Sequence, residues 1–245
     1  MITVAPKPTL IRTIADAVGL SIIRVLEAGK VIFLLAPFYL SLPQSVRAET
    51  VTTEEWVEYD DDAGTEAEVQ PNQAAIARFG PFYVLGPNLV ELNGAIDAES
   101  LTHFRRMVAA YPAIAHIRMI ECPGTENDDA NLAIARAIRK AGITTHVPAG
   151  GSVRSGGVEL FLAGVKRTAE PGAEFGVHSW QDDEGNEAAD VPANDPVHAA
   201  YVGYYQEMGF TPEQARAFYA FTNKTRFKQV HYMTGPELAR FGVLN

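Results

Sequence analysis

The chain holds a single cysteine, Cys122, among its 245 residues, so an internal disulfide is excluded. No spacing among its six histidines resembles a metal site. Bases are missing where acids are dense: residues 49–70 carry nine acids and no base. From residue 71 onward 15 bases face 19 acids, which leaves no basic track for nucleic acid. The apolar run VIFLLAPFYLSL, residues 31–42, is shorter than the ~20 residues that span a bilayer, and Pro37 interrupts it. The presumed folded part shows no internal repeat and no low-complexity segment.

A hydrophobic share of 47% with 20% charged residues reads as globular. The N-terminal residues 1–48 differ from the rest, with five bases against two acids. There Lys30 precedes the apolar run, and Val46-Arg47-Ala48 follows it with the small-residue spacing of a signal-peptidase site. Cleavage after Ala48 would export a chain beginning at Glu49, to a periplasmic location. The preceding LIRTIADAVGLSIIRVLEAG is amphipathic, so an inner-membrane anchor through residues 20–43 stays open as the alternative. Residues 49–78 read as an acidic, solvated linker, and residues 79–245 as one folded domain.

Within that domain, structure is expected to begin near Phe82. FYVLG and LVELNGAI read as strands, because β-branched and aromatic residues cluster between Gly and Pro. AESLTHFRRMVAAY follows as a helix, with Leu101, Phe104, Met107 and Val108 inward behind an Asp97 cap. AHIRMIEC is then a strand, DDANLAIARAIRKAG a helix stopped by Gly142, and ITTHV a strand again. Strand and helix in alternation imply an α/β domain with a largely parallel sheet flanked by helices. VELFLAG reads as a buried helix, FGVH as a short strand, and DPVHAAYVGYYQEMG, TPEQARAFYAFTNK and GPELARFG as three further helices.

Sites in such sheets form in turns after the carboxyl ends of strands, here PGTENDD after AHIRMIEC and PAGGSVRSGG after ITTHV. The second turn carries Ser155 ahead of an apolar helix, and His178 lies 23 residues later at the end of FGVH. A serine hydroxyl becomes a nucleophile when a base takes its proton, so this pair suits acyl transfer. Gly156 and Gly157 are expected to let the backbone turn sharply into the helix, with the Gly156 amide as one oxyanion donor and the Gly124-Thr125 turn as the source of a second. Taken singly, a Ser-Gly-Gly turn is only a turn and a lone His is a structural residue; their order gives them weight.

That order resembles the Clp protease proteolytic subunit and its exported relatives, within the wider ClpP/crotonase-like fold. The carrying segments are Cys122-Pro123-Gly124-Thr125, Ser155 with Leu160-Phe161-Leu162-Ala163-Gly164, Pro171-Gly172-Ala173 before Gly176-Val177-His178, and the closing MTGPELARFGVLN, so the resemblance spans roughly residues 82–245. It implies Ser155 as nucleophile, His178 as general base, and the amides of Gly156 and Thr125 as oxyanion donors. It implies peptide or protein substrates, no cofactor, and ring-like homo-oligomers among the relatives. The expected activity is that of an ATP-independent serine peptidase.

Two departures stand out. Thr125 replaces a glycine, which restricts φ. The family's catalytic aspartate aligns with Arg226, leaving Asn223, Asp182 and Asp183 as substitutes to orient His178. Two other readings stay open. One is a signal-peptide-peptidase-like Ser-Lys membrane protease with Lys224 or Lys228 as base. The other is a catalytically impaired binding or scaffold protein.

Overall fold

The chain divides into two units, residues 1–51 and 52–245. The computed structural model describes Trp56–Glu58 and residues 74–245, so the expected signal peptide or anchor within residues 1–48 lies outside the described residues. Among the described residues no helix is long and apolar enough to cross a membrane.

Among the described residues ten strands form one sheet: β1 (Trp56–Glu58), β2 (Ala77–Phe79), β3 (Phe82–Val84), β4 (Leu89–Asn93), β5 (His116–Cys122), β6 (Thr144–Val147), β7 (Ser152–Arg154), β8 (Arg167–Ala169), β9 (Glu174–Val177) and β10 (Gln229–Tyr232). Pairing is parallel for β4–β5, β5–β6, β5–β7, β6–β8 and β7–β9, and antiparallel at the two margins. Helices α1 (Ser100–Ala110), α2 (Asp128–Lys140), α3 (Gly156–Leu162), α4 (Pro196–Glu207), α5 (Pro212–Thr222) and α6 (Gly235–Phe241) connect and cover it. The α/β class with a largely parallel sheet and flanking helices is therefore as expected.

The segment read as a linker, residues 49–78, contributes two of these strands. Trp56–Glu58 pairs antiparallel with β10, and Ala77–Phe79 with β3. A margin of an antiparallel sheet needs only a short β-prone stretch, and averaging over an acidic region hides one.

The expected helix faces are the buried ones. Phe104 and Met107 of α1, and Ile134, Ala135 and Ile138 of α2, are in the core, with Leu101, Val108 and Leu132 packed against it. Asp97 accepts bonds from the Ser100 amide at 2.8 Å and the Ser100 hydroxyl at 2.7 Å in the turn ahead of α1, but the N-cap position is Glu99, which makes no side-chain cap bond, so Asp97 is not the cap expected. Helices α5 and α6 each open with a capping box, Thr211 with Gln214 and Thr234 with Glu237, behind a proline in the first turn. After α6 and Gly242 the chain forms no last strand. Residues 243–245 instead run beside β8, with the Asn245 amide bonded to Arg167 O at 3.1 Å.

One detail of topology places the site. The first half of β5 pairs with β6 through His116–Arg118, and its second half with β7 through Glu121 and Cys122. This fork sets β7 beside the end of β5, so the turn after β7 meets the turn after β5. The stretch expected to be one long turn, residues 148–157, thus contains a strand of its own, ending one residue before Ser155.

Candidate active site

Ser155 joins β7 to α3 with φ 48° and ψ −126°, and among the described residues it alone, glycines aside, has a positive φ. Its amide donates to Gly176 O at 3.0 Å and its carbonyl accepts from the Val158 amide at 2.8 Å. Neither Gly156 nor Gly157 has a positive φ. The sharp turn is made by the serine itself, and the glycines serve space. A Cβ on Gly156 would stand 2.6 Å from Thr125 Cγ2, and one on Gly157 2.7 Å from Cys122 O.

The turn after β5 presses against the serine, since a Cβ on Gly124 would lie 3.1 Å from Ser155 Cβ. Ile96 N donates to Gly124 O at 3.0 Å and Glu126 N to Ile96 O at 2.7 Å. In such a parallel bridge the intervening Thr125 amide points away from Ile96. The Thr125 hydroxyl donates to Ile96 O at 3.1 Å and accepts from Asn127 N at 2.9 Å, which holds the residue in place of the expected glycine. Gly156 opens α3, where an amide has no intrahelical acceptor. Among the described residues nothing accepts a bond from either amide.

His178 follows the end of β9 and is half-buried, its ring edge-to-face with Phe227 at 5.2 Å between centroids. His178 Nδ1 lies 2.8 Å from Ser179 O. A carbonyl only accepts, so the proton sits on Nδ1 and Nε2 is left as the open acceptor. Burial pushes the imidazole below its ordinary pKa, against the pull of Ser179 O and of Glu187. No hydrogen bond joins the ring to the Ser155 hydroxyl among the described residues. Ser155, Gly156, Thr125 and His178 nevertheless line one cavity of about 490 Å³.

Among the described residues none of the three substitutes for the missing aspartate hydrogen-bonds His178. Asn223 Oδ1 accepts from the Ser179 hydroxyl at 3.0 Å, and its amide donates to Tyr219 O at 2.7 Å. Asn223 therefore steadies the residue whose carbonyl holds the imidazole, one step removed. Asp182 accepts from the Asn186 amide at 2.8 Å and Glu184 N at 3.0 Å within its own exposed loop, and chiefly the Asn186 side chain lowers its pKa. Asp183 is exposed. Arg226 faces Glu187 at 3.5 Å and Asp190 at 3.7 Å. Lys224 and Lys228 are exposed and neither lines the cavity. Cys122 is fully buried, and burial pushes its thiol up to about 12, which suits packing and not attack.

One residue of the cavity was not foreseen. Glu159 lies in the first turn of α3, four residues after Ser155, and lines the same cavity. Its carboxylate accepts from the Tyr205 hydroxyl at 2.9 Å, and burial pushes its pKa up to about 7, with a smaller push from Asp128. The available signal was a lone acid inside the apolar VELFLAG helix.

A search of protein-family models and a search of curated protein sequences each found no match. Among solved structures, the chain is similar to the 1510-N membrane-bound stomatin-specific protease. A lysine-to-alanine variant of it, in complex with a substrate peptide, matches with a TM-score of 0.45 and 18% identity over 64% of this chain and 72% of that one. A serine-to-alanine variant matches with a TM-score of 0.46 and 18% identity over 64% and 76%. Likeness at this level assigns no residue of the cavity.

Proposed function

We propose that this chain is an ATP-independent serine peptidase-like hydrolase that cleaves peptide bonds through an acyl-enzyme formed on Ser155. The observation that carries the reading is the strained Ser155 turn, opening onto a cavity shared with His178 and with two amides that have no other acceptor. Strain of this kind persists only where surroundings over-determine it, and it gathers at working sites. The order of motifs over residues 82–245, which resembles the Clp protease proteolytic subunit, supports the same reading.

In this mechanism Ser155 Oγ attacks the scissile carbonyl carbon while His178 Nε2 takes its proton. The Gly156 and Thr125 amides receive the developing oxyanion. Collapse expels the amine, which takes the proton from Nε2, and a water activated at the same nitrogen then releases the acyl group. The Ser179 carbonyl replaces the family's carboxylate: it fixes the tautomer but offers a dipole in place of a full charge. Hydrogen bonds at catalytic pairs often tighten only with substrate bound, and the Ser155–His178 contact is expected to form then. Residues 1–48 would deliver the domain across a membrane or hold it there.

A fluorophosphonate probe tests the reading. Wild-type protein is expected to label, Ser155→Ala not at all, and His178→Ala roughly 10³-fold more slowly. Slow labelling after changing Lys224 or Lys228, with His178→Ala unaffected, would transfer the base to a lysine. A folded wild type that does not label would leave the binding or scaffold reading.

A further inference from the structure

The cavity beside Ser155 is lined by Glu126, Asp128, Asp129, Glu159, Asp182 and Asp183, and by no lysine or arginine. Acids alone do not make a site, but one fully buried acceptor here lacks a donor, and a half-buried carboxylate of the same cavity has no ion pair among the described residues. Asn131 is 1% exposed and lines the cavity. Its Nδ2 donates to Gly156 O at 2.9 Å, and since a carbonyl can only accept, this fixes the amide's orientation. Its buried Oδ1 then has no donor. Glu159 receives the Tyr205 hydroxyl and, among the described residues, no ion pair, although a carboxylate has room for about four donors. A buried acceptor left empty is costly, and a half-buried carboxylate in an acidic cavity gains from a cation.

The nearby wall is aromatic. Tyr201 stacks on Trp180 at 6.2 Å with 2° between planes, and on Tyr219 at 5.9 Å with 24°. An aromatic lining, carboxylates and an empty acceptor together suit a ligand group with several N–H donors, no acceptor and a positive charge. Lysine and arginine side chains are such groups.

Building on the peptidase reading above, we infer that Glu159 is the specificity-determining residue of this cavity and receives a basic side chain next to the scissile bond of the substrate. Its place one helical turn beyond the nucleophile sets the distance. Asn131 Oδ1 supplies a second acceptor.

Binding to a Ser155→Ala background tests this without requiring turnover. The probes are N-acetylated alanine peptides whose central residue is lysine, norleucine or glutamate. The lysine peptide is expected to bind about tenfold more tightly than the norleucine peptide, with the glutamate peptide weakest. Adding Glu159→Gln, which keeps the bond to Tyr205, is expected to bring the lysine-to-norleucine ratio to about 1. A ratio unchanged by Glu159→Gln, or norleucine binding as well as lysine on the Ser155→Ala background, overturns the assignment. If the double variant does not fold, protection of wild-type Ser155 from the fluorophosphonate decides: the lysine peptide should protect at lower concentration than norleucine, and equal protection overturns it. Lysine preference in a protein that never labels would refute the peptidase while leaving Glu159 as a cation site.

Discussion

Ser155 carries the greatest conformational load in the domain. A side chain at φ 48° costs about 1–3 kcal/mol relative to an ordinary conformation. Here the bonds to Gly176 O and from Val158 N, with Gly124 packed against Cβ, hold it there. Ser155→Ala and Ser155→Gly both remove the nucleophile, but only glycine adopts this backbone freely. Ser155→Gly should therefore withstand denaturant better than Ser155→Ala, by roughly 1 kcal/mol after the added entropy of glycine in the unfolded chain. Equal stabilities would mean that the turn is not strained. Ser155, Gly156 and His178 were legible in the sequence because each has a distinctive residue type in a distinctive order. The group that orients His178 was not, because a backbone carbonyl has no letter of its own. Of the substitutes Asn223, Asp182 and Asp183, Asn223 bonds Ser179 and not the imidazole.

At the scale of elements, the site depends on how closely α3 approaches the end of β5. Gly157 stands where a methyl would be 2.7 Å from Cys122 O and 2.9 Å from Cys122 Sγ. Cys122 belongs to a strand paired with β7 at that point, so its carbonyl cannot easily give way. Gly157→Ala should cost about 1–3 kcal/mol, measured by thermal or chemical denaturation, and should slow fluorophosphonate labelling by tilting α3 and its first amide. Unchanged labelling in a destabilised variant would separate the packing of α3 from the aim of its amide. Helices with two or more turns of periodic apolar residues, such as α1 and α2, could be read directly from the sequence. The strands β7, β8 and β10 could not, since SVR, RTA and QVHY lack the apolar cluster that marks a strand as short as FYV. They are made strands by neighbours distant in sequence, and β7 is the one that delivers Ser155 to its place.

The cavity belongs to the whole molecule, because its walls come from the turn after β5, from α2 and α3, from the loop after β9, and from α4 and α5. That is why nothing in the sequence singles out Glu159: burial in the cavity, with Tyr205 on α4 and Asp128 on α2 beside it, gives it its character only after folding. The sign of its effect on stability follows. Unfolded, the carboxyl titrates near its ordinary 4.5; folded, burial holds the proton to about 7. Its favourable contribution is thus full below pH 4.5, declines as pH rises, and is gone above about 7. His178 acts in the opposite sense, since burial lowers its pKa from 6.5 and the unfolded chain takes up the proton first as pH falls below that value. Glu159→Gln isolates the first effect, because glutamine keeps the shape and does not titrate. The melting temperature of Glu159→Gln relative to wild type should climb between pH 4.5 and 7 and level off beyond, most simply followed by far-ultraviolet circular dichroism. A flat difference across that window would make Glu159 an ordinary solvated carboxylate, with no need of a cation from substrate. A rise would show that the cavity holds a charge it cannot pair from its own side chains, which is the condition for selecting a basic residue beside the scissile bond.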